Sequence, residues 1–287
     1  ITKANDEMTQ DALRVLGVAF RVVKVMPDEI NSDNLEREMT FVGLVGMIDP
    51  ARKEVQPALE LARGAGIRTI MITGDYPNTA RAIARDINLL QSGHDVLTGQ
   101  DLDKLTDQEL QERVKTTDVF ARVSPEHKMR IVEALRNNGE VVAMTGDGVN
   151  DAPAIKLADI GVAMGITGTD VAKDTADMVL TDDNYASIVA AVEQGRIIYA
   201  NIRKFVYYLI SCNLAEIMII FLATAFGKFL FPHAGVEVLS PLAPIQLLLL
   251  NLVTDGAPAL ALGTEKGDPD IMQQAPRHPK EPIINRP

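Results

Sequence analysis

The sequence predicts an α/β domain built on a parallel sheet, joined to an α-helical transmembrane hairpin. Three observations carry that expectation. Apolar runs at Thr69 to Thr73 and Val141 to Thr145 each end in Thr-Gly-Asp and lead into helical patterns, the strand–helix alternation that builds a parallel sheet covered on both faces. Charge is concentrated before about residue 204, whereas residues 205 to 262 hold two long apolar runs, so a soluble part is fused to a membrane part. A helical pattern beginning at Tyr185 continues to about Phe226 without a stop signal and joins the two.

The elements follow in order. From Met8 to Val25 the apolar spacing passes from helix-like to strand-like, and Pro27 to Glu38 is a polar connection, together expected to be the tail of a preceding domain. Phe41 to Ile48 is a strand-type run ending at Asp49-Pro50-Ala51-Arg52; the helix Val55 to Gly64 follows, with Val55, Leu59 and Ala62 on one face. After the Thr69 to Thr73 strand come a helix from Thr79 to Leu89 and a variable polar region, Gln91 to Thr117, with room for a short helix. Val119 to Val123 leads into a turn with Arg122 and Lys128 on either side, and Met129 to Leu135 continues as a helix. Ile160 to Met164 and Met178 to Leu180 are two more short strands. The Tyr185 to Phe226 helix would be about 63 Å long, about twice a bilayer's hydrocarbon core, so its first half stands outside lipid as a stalk.

Composition bounds the function. The 287 residues are 47% hydrophobic and 23% charged, with a formal net charge of −11. That acidic balance argues against nucleic acid as a partner. Cys212 is the single cysteine, so no internal disulfide forms, and within an apolar run it reads as a small core residue. His127 reads as a surface histidine, and the spacing of the four histidines suggests no metal cluster. The chain opens without an initiator methionine or signal peptide, inside a helical pattern, and is expected to be an internal piece of a longer protein.

The stretch richest in chemistry is Val141 to Pro153. A buried strand would deliver Asp147, Asn150 and Asp151 to its carboxyl end, where ligands bind in open α/β sheets. Asp147, between two glycines, can approach a hard cation and a phosphate closely, while Asn150 and the turn's N–H groups can donate to phosphate oxygens. Read alone, the loop could equally be an ordinary one in which Asp151 caps a helix. Thr73-Gly74-Asp75 repeats the design, so two strand ends present carboxylates and hydroxyls to one crevice. An anionic ligand there needs counter-charge, which Arg122 and Lys128 can supply.

The apolar runs carry a second set. Phe205 to Phe226 and Leu242 to Leu262 are each long enough to span, separated by the loop Gly227 to Pro241. Arg196, Arg203 and Lys204 precede the first, Arg277 and Lys280 follow the second, and only Lys228 lies between. By the positive-inside rule both ends of the hairpin, and the sheet domain, are cytoplasmic. Asn213 and Glu216 share one helix face in the first span. Asn251, Thr254 and Asp255 lie at similar spacing in the second, ahead of Gly256 and Pro258, which weaken the helix and free backbone carbonyls. Any one of these could be interhelical glue. Five oxygen-bearing groups together favour a hard-cation site, calcium above a soft transition metal.

These residues carry a family resemblance. Thr145-Gly146-Asp147-Gly148-Val149-Asn150-Asp151-Ala152-Pro153, with Thr73-Gly74-Asp75, Asp49-Pro50-Ala51-Arg52 and the Arg122 to Lys128 segment, resembles the phosphorylation domain of P-type cation-transporting ATPases, a haloacid-dehalogenase-like fold with a Rossmann-like parallel sheet. The span Asn251 to Gly256, with Asn213 and Glu216, is most similar to the calcium pumps of that family. The resemblance implies that Asp147, together with Asp151, holds the catalytic magnesium, that Asn150 and Asp151 organise the phosphate site, and that Lys128 contacts the transferred phosphoryl group. Thr73, Gly74, Asp75 and Arg122, with Lys128 and Asn150, would meet ATP, and Asn213, Glu216, Asn251, Thr254 and Asp255 would be ligands of transported Ca2+ on the fifth and sixth transmembrane helices. It divides the chain into the tail of a nucleotide-binding domain and connection (1–39), a phosphorylation domain (40–184), a stalk (185–204), transmembrane helices (205–226 and 242–262) and a cytoplasmic loop (263–287). The partners implied are ATP, the cation, the lipid bilayer and the remainder of the same pump. Ala51 stands where the family often has a second proline. The family's phosphorylated aspartate, in Asp-Lys-Thr-Gly-Thr, is not in these residues, so this piece alone is expected to be inactive. A membrane-tethered phosphatase of the same fold, a pump for manganese or sodium, and a non-catalytic remnant are the alternatives.

Overall fold

The structure, a computed structural model, describes residues 1–10, 13–23, 31–47, 51–230, 232–233 and 242–284. Two compact units divide it, Ile1–Arg63 with Arg68–Ile188, and Gly64–Ile67 with Val189–Pro287. The first unit runs α1 (Thr2–Gln10), β1 (Arg14–Phe20), α2 (Ser32–Leu35), β2 (Thr40–Met47), α3 (Val55–Gly64), β3 (Met71–Thr73), α4 (Pro77–Asp86) and β4 (Asp95–Thr98). It continues through α5 (Gly99–Leu102), α6 (Asp107–Arg113), β5 (Thr117–Ala121), α7 (Pro125–Asn137), β6 (Ala143–Gly146), α8 (Ala152–Leu157), β7 (Ile160–Met164), α9 (Asp170–Thr175) and β8 (Met178–Leu180).

The parallel strands form two three-stranded sheets, ordered β3-β5-β4 and β6-β7-β8. β5 is buried along its whole length, as a strand between two neighbours with both faces covered must be. Its alternation sorts the core: Val119 and Ala121 pack with Leu59, Ala80, Ala84 and Ile87, while Phe120 packs with Leu97, Leu102, Leu110 and Ile131. A third cluster joins Met144 and Ala163 to Val132, Ala154 and Ile155. Ile72 of β3 packs against both the second and third clusters, so one continuous apolar layer underlies both sheets.

Two expectations need correction. The Phe41 to Ile48 run does not lead the parallel sheet; β2 pairs antiparallel with β1, with an irregularity between Val18 and Ala19. Its alternation suits a two-stranded ribbon as well as a sheet strand, and only the pairing partner distinguishes them. The region Gln91 to Thr117 is far more structured than its polarity suggested. It contains the edge strand β4 and the helices α5 and α6, each started by a threonine capping box at Thr98 and Thr106. Val96 and Leu97 alone are too short a run to register as a strand. Asp49 and Pro50 lie outside the described residues; Arg52, just beyond, donates to the Asp182 carbonyl at 3.4 Å.

In the second unit α10 (Tyr185–Leu230) is a single helix of 46 residues that begins in the first unit's sequence. Among the described residues two helices are long and apolar enough to cross a membrane, Tyr185–Phe229 and Pro244–Gly263. The latter is not uniform: α11 (Pro244–Leu249) gives way to a π-helical turn, Leu250–Asp255, and then α12 (Gly256–Gly263). The irregularity therefore falls one turn before Gly256 and Pro258. Pro258 lacks the N–H that would bond the carbonyl four residues back, and that carbonyl, of Thr254, accepts from the Tyr208 hydroxyl at 3.3 Å. Past α12 the chain is fastened to α10 by Arg196, which donates to the carbonyls of Ile271, Gln274 and Ala65, and by Lys204, paired with Glu265 at 2.7 Å.

Asp183 is the tightest anchor of the loop after β7. Its carboxylate accepts the N–H groups of Gly165, Ile166 and Thr167, and these bonds hold its pKa down to about 2. A lowered folded-state pKa stabilises the fold above the ordinary carboxylate range, and that contribution fades as pH falls toward the folded value. The melting-temperature gap between the parent chain and Asp183→Asn is therefore expected to be full near neutral pH and to narrow between about pH 4 and about pH 2. A gap that widens over that interval would contradict the anchor.

Candidate functional site: a strand-end phosphate crevice and an intramembrane oxygen cluster

The carboxyl end of β6 is shaped by one carboxylate. Asp151 closes the turn Gly148–Asp151 through its N–H to the Gly148 carbonyl, 3.0 Å, and turns its side chain back beneath the loop. Its Oδ2 accepts the N–H groups of Asp147 (3.3 Å) and Gly148 (3.1 Å), and its Oδ1 meets the Lys128 ammonium at 2.5 Å. Gly146 makes this approach possible, because a Cβ there would lie 2.4 Å from the Asp151 Cβ. Asp151 is 6% exposed, so the pair is held in low dielectric, where each partner depends on the other.

Lys128 reaches the site from the first turn of α7. Ser124 caps that helix by accepting the His127 N–H, Pro125 occupies its first turn, and the His127 Nδ1 accepts the Ser124 N–H. The proton is therefore on Nε2, which donates to Asp103 at 2.8 Å. His127 is thus not a free surface histidine: its side chain is 12% exposed and fixes the helix start that aims Lys128. Serine three residues before a side chain able to return the bond, with proline between, was the signal available for it.

Asp147 differs from Asp151. Its backbone carbonyl accepts the Thr169 N–H at 2.8 Å, while its carboxylate is exposed and takes no hydrogen bond among the described residues. Asn150 is exposed on the same turn. Of the two aspartates read as magnesium ligands, Asp147 is open to an ion, and Asp151 is committed to Lys128 and the loop. Among the described residues no three His, Cys, Asp or Glu side chains converge as a metal set.

β3 and β5 bring a second group together. Thr73 donates its hydroxyl to Asp75 and accepts the Asp75 N–H, both at 3.1 Å, so Gly74 is held in a tight hydroxyl-closed turn. The Val123 N–H reaches the Thr73 carbonyl at 3.5 Å. Arg122, in the left-handed region at φ 54°, lays its guanidinium 3.7 Å from the Tyr76 ring centroid, which joins Arg122 to the Thr73–Asp75 turn. Tyr76 was not read from the sequence, since a lone aromatic after the turn has no periodic signature.

In the second unit the five oxygen-bearing residues are not equivalent. Asn251 donates to Glu216 at 3.2 Å, linking the two apolar helices. Asp255 is 5% exposed and its Oδ2 has no hydrogen-bond partner among the described residues. Asn213 spends its amide on the Leu209 carbonyl of its own helix, 2.9 Å, and Thr254 contributes its backbone carbonyl to Tyr208. Asn201, about three turns before Asn213 on α10, is also buried, with its amide on the Glu265 carbonyl and its Oδ1 unpartnered among the described residues.

Residues 7–159 match the haloacid dehalogenase-like hydrolases, as do residues 128–192. Residues 239–287 match the carboxyl-terminal region of cation-transporting ATPases. The chain belongs to the haloacid dehalogenase-like hydrolases. It is 50% identical over 285 residues to calcium-transporting ATPase 1 of Bacillus cereus, covering 99% of this chain and 31% of the relative. A calcium-transporting ATPase of Bacillus subtilis is 50% identical over 279 residues, with 97% and 30% covered. An endoplasmic reticulum calcium ATPase of Aspergillus fumigatus is 53% identical over 254 residues, with 87% and 25% covered. The chain spans about a third of the length of the Bacillus relatives it matches.

The buried pair gives a direct test of the crevice. Asp151→Ala strands the Lys128 ammonium and two backbone N–H groups, and is expected to destabilise the first unit by about 2–4 kcal/mol. Urea unfolding of the parent and variant chains measures it; equal midpoints would show that the pair does not hold the loop.

Proposed function

We propose that the chain is the carboxyl-side part of an ATP-driven cation pump that works through an aspartyl-phosphate and transports calcium. The observation that carries the proposal is the pairing of Glu216 with Asn251 beside a buried Asp255 whose Oδ2 is unpartnered among the described residues. A membrane-tethered phosphatase has no use for carboxylates in apolar helices, each of which costs about 2.5–3.5 kcal/mol near a bilayer centre. Hard oxygen donors in that position suit calcium as the cargo, and the names of the Bacillus and Aspergillus relatives point the same way.

In this proposal 40–184 is the phosphorylation domain, lying in the cytoplasm, with residues 1–39 the end of a nucleotide-binding domain. The stalk is 185–204, the spans are 205–226 and 242–262, and 263–287 is a cytoplasmic loop. The open carboxylate of Asp147 fits magnesium, which would neutralise charge on a transferred phosphoryl group. Asp151 holds Lys128 and the N–H groups of Asp147 and Gly148 in place, so the ammonium is oriented before substrate arrives. Asn150 donates to phosphate oxygens, while Thr73, Gly74, Asp75 and Arg122 meet ATP. Glu216, Asn251 and Asp255 supply side-chain oxygens to the ion; Asn213 and Thr254 join them once their present bonds exchange. Because α10 is unbroken from Tyr185 to Leu230, movement at the phosphate site has a stiff element along which to reach Glu216.

In the full-length protein Asp147→Ala is expected to reduce magnesium-dependent phosphoenzyme by at least about 100-fold, measured by acid-stable incorporation of labelled phosphate; normal incorporation would refute the assignment. Glu216→Gln and Asp255→Asn should instead abolish calcium activation and vesicular calcium uptake, while phosphorylation from inorganic phosphate persists. Uptake at the parent rate in both variants would remove calcium from the proposal.

A further inference from the structure

The first unit has a second polar concavity, on the edge of its sheet away from the catalytic loop. It measures about 370 Å³, and its lining includes Arg81, Arg85, Gln91, Ser92, His94 and Asp95. The catalytic turns follow the carboxyl ends of β3, β5 and β6. This pocket lies beside the opposite ends: Asp95 opens β4 and is in register with Thr117, the first residue of β5. Its contents therefore belong to neither the Asp147 loop nor the Thr73–Asp75 turn.

The charges around the pocket are unbalanced toward positive. Arg81 and Arg85 stand one turn apart on α4, and neither meets a carboxylate among the described residues. Asp95 also lines the space, but it is paired with Arg113 at 2.9 Å. The wall is rigid, because the fully buried Asp118 accepts the Gln91 N–H at 3.0 Å and bonds the His94 Nδ1 at 2.8 Å. The turn between them is closed by the His94 N–H on the Gln91 carbonyl, 3.1 Å, with Gly93 at φ 86°. A carboxylate has no proton to give, so Nδ1 carries it. The remaining ring nitrogen, Nε2, donates to an anion only when the imidazole is doubly protonated. Arg81 and Arg85, charged at every physiological pH and able to grip oxygens in pairs, thus carry the recognition.

We propose that this pocket binds a small soluble phosphoanion of about diphosphate size, held by Arg81 and Arg85 with His94 and the Gln91–His94 turn as its floor. A concave site of this volume favours a free solute over a flat lipid surface. The proposal stands independently of the transport reading, since no residue in it belongs to that machinery.

Calorimetric titration of pyrophosphate, without magnesium, into the whole chain in detergent micelles tests it, with Lys128→Met introduced to weaken the catalytic crevice. One saturable binding event is expected, weakened at least about ten-fold by R81Q/R85Q and less by R81K/R85K, which keeps the charge but loses the fork. No binding in a folded Lys128→Met chain, or equal binding after R81Q/R85Q, overturns the proposal. Should R81Q/R85Q or Lys128→Met, which leaves the buried Asp151 without its ammonium, fail to fold, phenylglyoxal labelling of Arg81 and Arg85 in the parent chain, read by mass spectrometry, takes its place. Protection by pyrophosphate is expected. Unchanged labelling, or protection by phosphatidylserine vesicles and not by pyrophosphate, overturns it.

Discussion

The Asp151 carboxylate is the constraint on which the crevice depends. Through one oxygen it fixes the ammonium of a helix that starts after β5; through the other it gathers two N–H groups of the loop after β6. Phosphoryl chemistry asks little of a protein beyond positioned charge, and a charge is positioned only if its carrier cannot wander. Each component supports this pairing: the missing side chain at Gly146 admits Asp151, the Ser124–His127 cap sets the start of α7, and Thr169 holds the Asp147 backbone from the far side. Asp147 can remain open because its neighbour bears the structural role.

The second unit uses the same division between paired and unpaired groups in a harsher solvent. Glu216 has a partner across the helix pair in Asn251, whereas Asp255 has a buried oxygen with none among the described residues. An unsatisfied buried acceptor costs about 1–3 kcal/mol, so its retention calls for a use, and an oxygen ligand set is the use that the proposed transport function offers. The π-helical turn Leu250–Asp255 and the missing N–H of Pro258 loosen the backbone beside it. Stability is given up where an ion would have to be received and released.

Much of the fold was readable from local pattern. The bounds of α3, β7 and β8 coincide with the runs marked by their apolar spacing, and α10 continues only a few residues beyond its expected end. Thr-Gly-Asp marked the turns that end β3 and β6 before any partner was known. What escaped was short or depended on a partner: β4 has too few residues to show a period, and β2 joined β1 because pairing is a non-local choice. His127 looked like a solvated residue, since nothing in its neighbours along the chain names Asp103, 24 residues away, as the group it would meet.

By itself the sequence determined the kinds of chemistry present: acid groups at strand ends, lysine and arginine near them, oxygen donors inside apolar helices, and a helix too long for a bilayer. Those are properties of residue type and spacing, which the chain carries whatever its fold. Only the tertiary structure decided how labour is divided among like groups. Asp147 and Asp151 are both aspartates of one short motif, yet burial and a lysine brought from a distant helix made one an anchor and left the other open. Glu216 and Asp255 are likewise separated by whether a facing amide falls within reach. Such distinctions depend on distances between residues far apart in sequence, and those distances exist only after the chain has packed.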